Sequence, residues 1–231
     1  MARLGFAWGG CLPIRLKGEG PSPLNLDMTL LPRMPDKASP HDLIDVIRSR
    51  RSVRSFRSDS IPDEHLKVIL DAARLAPTVG NEQPWHFLVV RDRLSVRNLR
   101  GKLERSVRAR VDETYADPED RPTHLTNVLT RFDEIFAAPV FVFIFVETSR
   151  YPELVRYDGA LAAENLMLAA KALGYGSCFM TSFFPERVVR EHFAVPEDLK
   201  LVCVVPVGLP TEWPPEPTKK PIEELVHYEN M

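Results

Sequence analysis

Arg50-Arg51-Ser52-Val53-Arg54 places three cations and a hydroxyl within five residues. In an extended chain Arg50, Ser52 and Arg54 share one side, because strand side chains alternate with a period of two. Guanidinium groups match phosphate oxygens bidentately, and a serine hydroxyl adds a neutral donor. The stretch is therefore a candidate grip for a phosphorylated ligand, although the same composition also suits a solvated basic loop. A second polar stretch, Thr78-Val79-Gly80-Asn81-Glu82-Gln83, combines turn residues with hydroxyl and amide side chains. There Asn81 and Gln83 also suit the plain role of bracing a turn. His86, His192 and His227 have no triad or metal-ligand partners in view, and neither GxGxxG nor a P-loop occurs.

These residues must be held by the elements around them. Ser39-Pro40-His41-Asp42 resembles a capping box opening a short helix, whose apolar face is Leu43, Ile44 and Ile47. Leu66, Ile69, Leu70 and Ala73 recur at helical spacing from Pro62 to Leu75, with Asp63 and Glu64 in the first turn and Pro77 beyond the end. His86 to Val90 is a buried strand. Asp92 to Tyr115 reads as a long basic helix whose Arg97, Arg100, Arg105 and Arg108 form a solvated face. After a loop at Asp117 to Arg121, a helix over Thr123 to Ala137 turns Leu125, Leu129, Phe132 and Phe136 inward. Pro139 to Val146 is the most apolar strand and the expected centre of a sheet. Asp158 to Leu173 is small and apolar nearly all round, which predicts burial on more than one side, the second against a partner subunit. Gly174 ends that helix. Tyr175 to Met180 is a short strand, Thr181 to Phe184 a link, and a further helix starts near Pro185. Leu201 to Val207 is the last buried strand, and a Pro-rich arm carrying Lys219 and Lys220 follows. Trp85 reads as core, and Phe183 and Phe184 as either pocket lining or packing.

The chain has 231 residues, 44% of them hydrophobic and 27% charged, which suits one α+β domain over 39–231 behind a flexible Gly- and Pro-rich extension over 1–38. A net charge of −2 gives no general reason to bind nucleic acid or an anionic membrane. The three cysteines form no CxxC and no metal spacing; scattered and odd in number, they point to reduced thiols in a cytoplasmic protein. No apolar run approaches membrane-span length, and Met1 to Pro13 does not form a signal peptide.

Four pieces in order resemble the nitroreductase family of flavin mononucleotide (FMN) enzymes. They are Arg50-Arg51-Ser52-Val53-Arg54-Ser55-Phe56; Ala76-Pro77-Thr78 with Asn81 and Gln83-Pro84-Trp85-His86-Phe87; Asp158 to Cys178; and Val205-Pro206-Val207-Gly208 through Lys219-Lys220-Pro221. The resemblance implies a three-layer α+β sandwich, with a mixed, mostly antiparallel sheet flanked by helices. It implies a homodimer with exchanged C-terminal arms and an FMN touching both chains. It further implies two electrons taken from NADH or NADPH and passed, in ping-pong fashion, to a nitroaromatic or quinone-like small molecule. By the same resemblance Arg50 and Lys219 hold the phosphate, Lys220 can substitute for Lys219, Arg51 is a further cofactor-binding residue, and Ser52 lies near the ribityl chain. Arg54 lies by the pyrimidine edge, where it stabilises negative charge on the reduced ring. Pro77, Thr78 and Val79 reach the ring from the other subunit, with Asn81 and Gln83 supporting their loop. Thr181 and Ser182 offer backbone N–H groups, that of Ser182 to N5. Lys219 stands where the family usually has Arg, which keeps charge and loses bidentate geometry. Relatives on this fold also dehalogenate iodotyrosine or fragment reduced FMN. The dehalogenases use an acid, Tyr and Lys lid, and the spacing of Glu113 and Tyr115 does not match it. A flavin carrier without turnover, or a nucleic-acid grip at Arg48 to Arg57, are the readings from other classes.

Overall fold

The structure is a computed structural model that describes residues 43–114, 121–149 and 154–230, with the side chains at 110–114, 121–124 and 127 left out. The expected extension over 1–38, the capping box and Tyr115 lie outside those residues.

Four strands form one sheet in the order β1-β2-β4-β3, from Trp85–Val90 (β1), Val140–Glu147 (β2), Gly176–Ser177 (β3) and Leu199–Gly208 (β4). Every strand pair is antiparallel: Trp85 faces Val146 across β1 and β2, and Val140 faces Val207 across β2 and β4. A parallel bridge from Ser52 to Ser177 adds the mixed character at the β3 edge.

The central strand explains the layers. Val-Phe-Val-Phe-Ile-Phe-Val in β2 is buried throughout, as a strand covered on both faces must be. Its side chains alternate between two cores. Phe141, Phe143 and Phe145 pack with Leu99 and Leu103 of α3 (Arg93–Thr114), Phe132 and Ile135 of α4 (Arg121–Phe136), and Val188 and Val189 of α6 (Glu186–Phe193). Val140, Val142 and Ile144 pack with Leu66, Ile69 and Ala73 of α2 (Asp63–Arg74), and with Ala163, Leu166 and Ala170 of α5 (Val155–Ala172). The result is the expected helix–sheet–helix sandwich.

α5 begins three residues before the expected Asp158 and lies close on the sheet. A Cβ at Gly159 would stand 2.6 Å from Val202 Cγ2, so glycine sets that approach. Gly174 closes the helix at φ +85°. α1 (Leu43–Ser49) buries no residue, and Leu43, Ile44 and Ile47 are exposed. Tyr157 and Leu161 of α5 are exposed as well. The strand expected from Tyr175 to Met180 is reduced to Gly176–Ser177, although Met180 keeps the same register and bridges Val204. Cys178 and Cys203 are free and buried. No described helix is long and apolar enough to cross a membrane.

Candidate functional site

The Arg50–Arg54 stretch runs extended along the β3 edge. Val53 N–H donates to Ser177 O at 3.0 Å, and the Val53 side chain is buried against Gly176. A Cβ on Gly176 would stand 2.7 Å from Val53 Cγ2, so this glycine lets the stretch lie flat on the sheet. With Val53 turned in, Arg50, Ser52 and Arg54 all face one cavity of about 610 Å³. Arg51 lines that cavity too, and Val53 N–H also donates to Arg51 O at 3.1 Å, so the alternation does not by itself sort the stretch.

Arg48, Arg51 and Lys219 line the same cavity, so the start of the domain and its C-terminal arm meet there. Lys220 is exposed and is not among the lining residues. Arg51 is committed elsewhere: its Nη1 donates to Arg48 O at 2.6 Å and Arg50 O at 2.8 Å, and its Nη2 lies 3.6 Å from Glu216. Arg54 donates to Ser52 O at 3.2 Å. Glu164 stands 3.5 Å from Arg50 Nε. Five cations thus face two carboxylates, leaving a cavity whose charge suits a phosphate. Cys178 lies beneath; burial pushes its thiol up, against the opposing pull of Arg54, the Ser52 hydroxyl and Arg50.

The second stretch forms a separate group. Val79–Asn81 is a single 3-10 turn, with Gly80, Asn81 and Gln83 at φ of +58°, +59° and +51°. Left-handed backbone at two non-glycine positions is strained and persists only where surroundings hold it. Gln83 N–H donates to Thr78 Oγ1, and Gln83 Nε2 to Asn81 O, each at 3.2 Å. Asn81 and Gln83 do brace the turn. The Thr78 hydroxyl accepts in that bond and keeps its own proton to donate. Pro77 and Val79 are exposed. Beneath the loop Ala76 and Trp85 pack with Val155 and Ala162 of α5 and with Val146. Asp158, the single buried carboxylate among the described residues, lines a small cavity with Val79; burial raises its pKa, and the nearby Val79 backbone opposes the rise.

Thr181 and Ser182 sit exposed in the turn between Met180 and α6. Phe184 is core, and Phe183 packs on Phe132 with centroids 5.6 Å apart, so both aromatics pack. His192 Nε2 lies 3.1 Å from Ser95 O, a structural contact. Among the described residues, no group of His, Cys, Asp or Glu is placed to hold a metal. Sequence reasoning missed Glu164, Glu216 and Asp158. Two of them, acids set in the otherwise small and apolar α5, were a readable signal.

The family model for the nitroreductase family matches residues 47–209. The chain belongs to the nitroreductase family. It is 31% identical over 175 residues to an Archaeoglobus fulgidus protein named for NADH dehydrogenase and NAD(P)H nitroreductase activity, covering 74% of this chain and 87% of that one. An iodotyrosine deiodinase of Thermotoga neapolitana is 33% identical over 194 residues, covering 80% and 97%. Among solved structures, an oxidised iodotyrosine deiodinase bound to FMN and 3-iodo-L-tyrosine superposes with a TM-score of 0.67 at 28% identity, covering 82% of this chain and all of that one.

Proposed function

We propose that this nitroreductase-family protein is an FMN-dependent oxidoreductase, drawing two electrons from NADH or NADPH and passing them to a nitroaromatic, quinone-like or related acceptor. The observation that carries this reading is the single cavity joining Arg50, Ser52, Arg54 and Lys219 from opposite ends of the domain. FMN, when bound, supplies the hydride and electron transfer; the protein supplies position and electrostatics. Arg50 and Lys219 hold the phosphate, and Ser52 donates to the adjoining polyol chain. Arg51, already bonded to two carbonyls and near Glu216, fixes the chain around the phosphate more than it grips it. Arg54 stabilises negative charge at the pyrimidine edge. Ser182 N–H donates to N5, with Thr181 shaping the turn.

The protein acts as a homodimer. Leu43, Ile47, Tyr157 and Leu161 leave apolar area exposed on α1 and α5, and the arm exposes Ile222, Leu225 and Tyr228. Pairing two chains covers these surfaces, exchanges the arms and brings Pro77, Thr78 and Val79 of one subunit to the ring held by the other. Residues 39–231 form the flavin domain, 1–38 are an appendage, and the free thiols Cys178 and Cys203 suit a cytoplasmic location.

Steady-state kinetics with NADH and NADPH, against a nitrobenzoate and a benzoquinone, test this. Parallel double-reciprocal lines are expected; intersecting lines contradict a ping-pong order, and no turnover with any pair contradicts the activity. The likeness to the two deiodinases supports a second reading, reductive deiodination. Iodide release from 3-iodotyrosine by dithionite-reduced protein tests it, and retention of the iodine rejects it.

A further inference from the structure

We propose that Trp213 is a positioning residue: it straps the Pro-rich segment after β4 onto its own chain and so sets Lys219 at the cavity, a role resting on the FMN reading above. The segment reads Trp213-Pro214-Pro215-Glu216-Pro217-Thr218-Lys219. Each proline fixes its own φ, and a residue before proline is held to extended backbone, so Trp213 to Pro217 have little freedom. Such a run favours the polyproline II helix, whose three residues per turn put Trp213, Glu216 and Lys219 on one side. In the structure all three meet the body of the chain. Lys171 Nζ stands 3.6 Å from the centroid of the Trp213 ring. Glu216 lies 3.6 Å from Arg51 Nη2, and Lys219 lines the cavity with Arg50, Ser52 and Arg54. Lys220, one step off that period, is not among the lining residues.

The segment leaves β4 already pinned to the residues that follow Arg54. Arg57 N–H donates to Leu209 O at 2.8 Å, Thr211 N–H to Ser55 O at 3.1 Å, and the Thr211 hydroxyl to Ser55 Oγ at 2.9 Å. Lys171 sits in the last turn of α5, two helical turns beyond Glu164 and on the same face. That face offers Glu164 to Arg50 and Lys171 to Trp213, so one helix supports both the arginine stretch and the strap. Trp213 is 41% exposed and belongs to none of the hydrophobic clusters of the described residues, which separates its role from core packing. A lysine alone is a loose grip, because a flexible stem and a point charge impose no fixed geometry. A stiff, anchored backbone beneath Lys219 supplies what its side chain lacks. The exchanged part of the arm then starts beyond Lys220, where Ile222, Leu225 and Tyr228 are exposed.

Full-length wild type, Trp213→Ala, Trp213→Phe, Lys219→Ala and the double variant Trp213→Ala/Lys219→Ala are titrated with FMN and with riboflavin, which lacks the phosphate. Trp213→Ala should weaken FMN binding about fivefold, the scale of one cation–π contact, and leave riboflavin binding unchanged. Trp213→Phe keeps a ring face for Lys171 and should recover most of the loss. In the Lys219→Ala background Trp213→Ala should cost nothing further, because the strap then has no cation to place. Equal weakening of both flavins, a full loss that persists without Lys219, or unchanged FMN affinity in Trp213→Ala overturns the proposal. Wild-type protein that takes up neither flavin contradicts the flavin reading itself. Amide hydrogen exchange over residues 211–220 of the flavin-free proteins then decides the strap: faster exchange in Trp213→Ala supports it, and equal exchange overturns it.

Discussion

Arg50, Ser52 and Arg54 could be read from the sequence as a dense cluster of cations and a hydroxyl, although the period of two did not separate them from Arg51, which lines the same cavity. Their division of labour is a matter of partners. Arg50 is held by Glu164 and Arg51 by two carbonyls, whereas Arg54 bonds only to the nearby Ser52 carbonyl and leaves most of its donors for a ligand. A cation beside the ring favours the reduced, more negative flavin. Arg54→Ala should therefore lower the reduction potential of bound FMN by roughly 30 mV, the two-electron equivalent of about 1.4 kcal/mol. Flavin reduction by NAD(P)H should slow with it. Redox titration against a reference dye measures this, and an unmoved potential removes Arg54 from the redox edge. Asp158 and Glu164 stand out in the sequence as acids in a helix that otherwise reads as core, but what they face, Arg50 in the case of Glu164, lies far away in the chain and was not legible.

The elements were legible where one periodicity ran unbroken, as in α2 and β2. Element ends were less so: α5 starts early, and β3 is interrupted between Ser177 and Met180 although its register persists. Gly176 is the joint between that short strand and the arginine stretch. Gly176→Ala should push Val53 outward, lower the thermal midpoint and weaken FMN binding by severalfold; adding Val53→Ala should restore much of both. Additive losses in the double variant contradict the contact. α5 also carries a pH signature. Asp158 has a folded-state pKa raised by burial, so the folded protein binds its proton more tightly than the unfolded chain. Its contribution to stability is most favourable below the ordinary carboxylate pKa of about 4 and declines as pH rises to the raised value, then levels off. Glu82 and Glu147 line the same small cavity, so the clean quantity is the midpoint of wild type minus that of Asp158→Asn. That difference should fall with rising pH across this window; a rise would invert the sign of the argument.

Seen whole, the sandwich follows from the alternation in β2, and that much was readable from eight residues. What the described residues do not supply is a cover for α1, whose hydrophobic side chains look inward in a sequence and outward in the structure. Exposed apolar patches on a helix that buries nothing call for a partner. Ile47→Glu should convert the proposed dimer to a monomer and release FMN together, measured by light scattering and by flavin absorbance after gel filtration. A monomer that keeps its flavin would separate assembly from cofactor binding. The central claim is that this chain holds FMN and reduces it with a nicotinamide. An anaerobic absorbance titration tests it directly. Protein incubated with FMN and freed of excess should be yellow, and NADH or NADPH should bleach the flavin band within the mixing and reaction time. Colourless protein after FMN incubation, or a bound flavin that neither nicotinamide bleaches, would contradict the account.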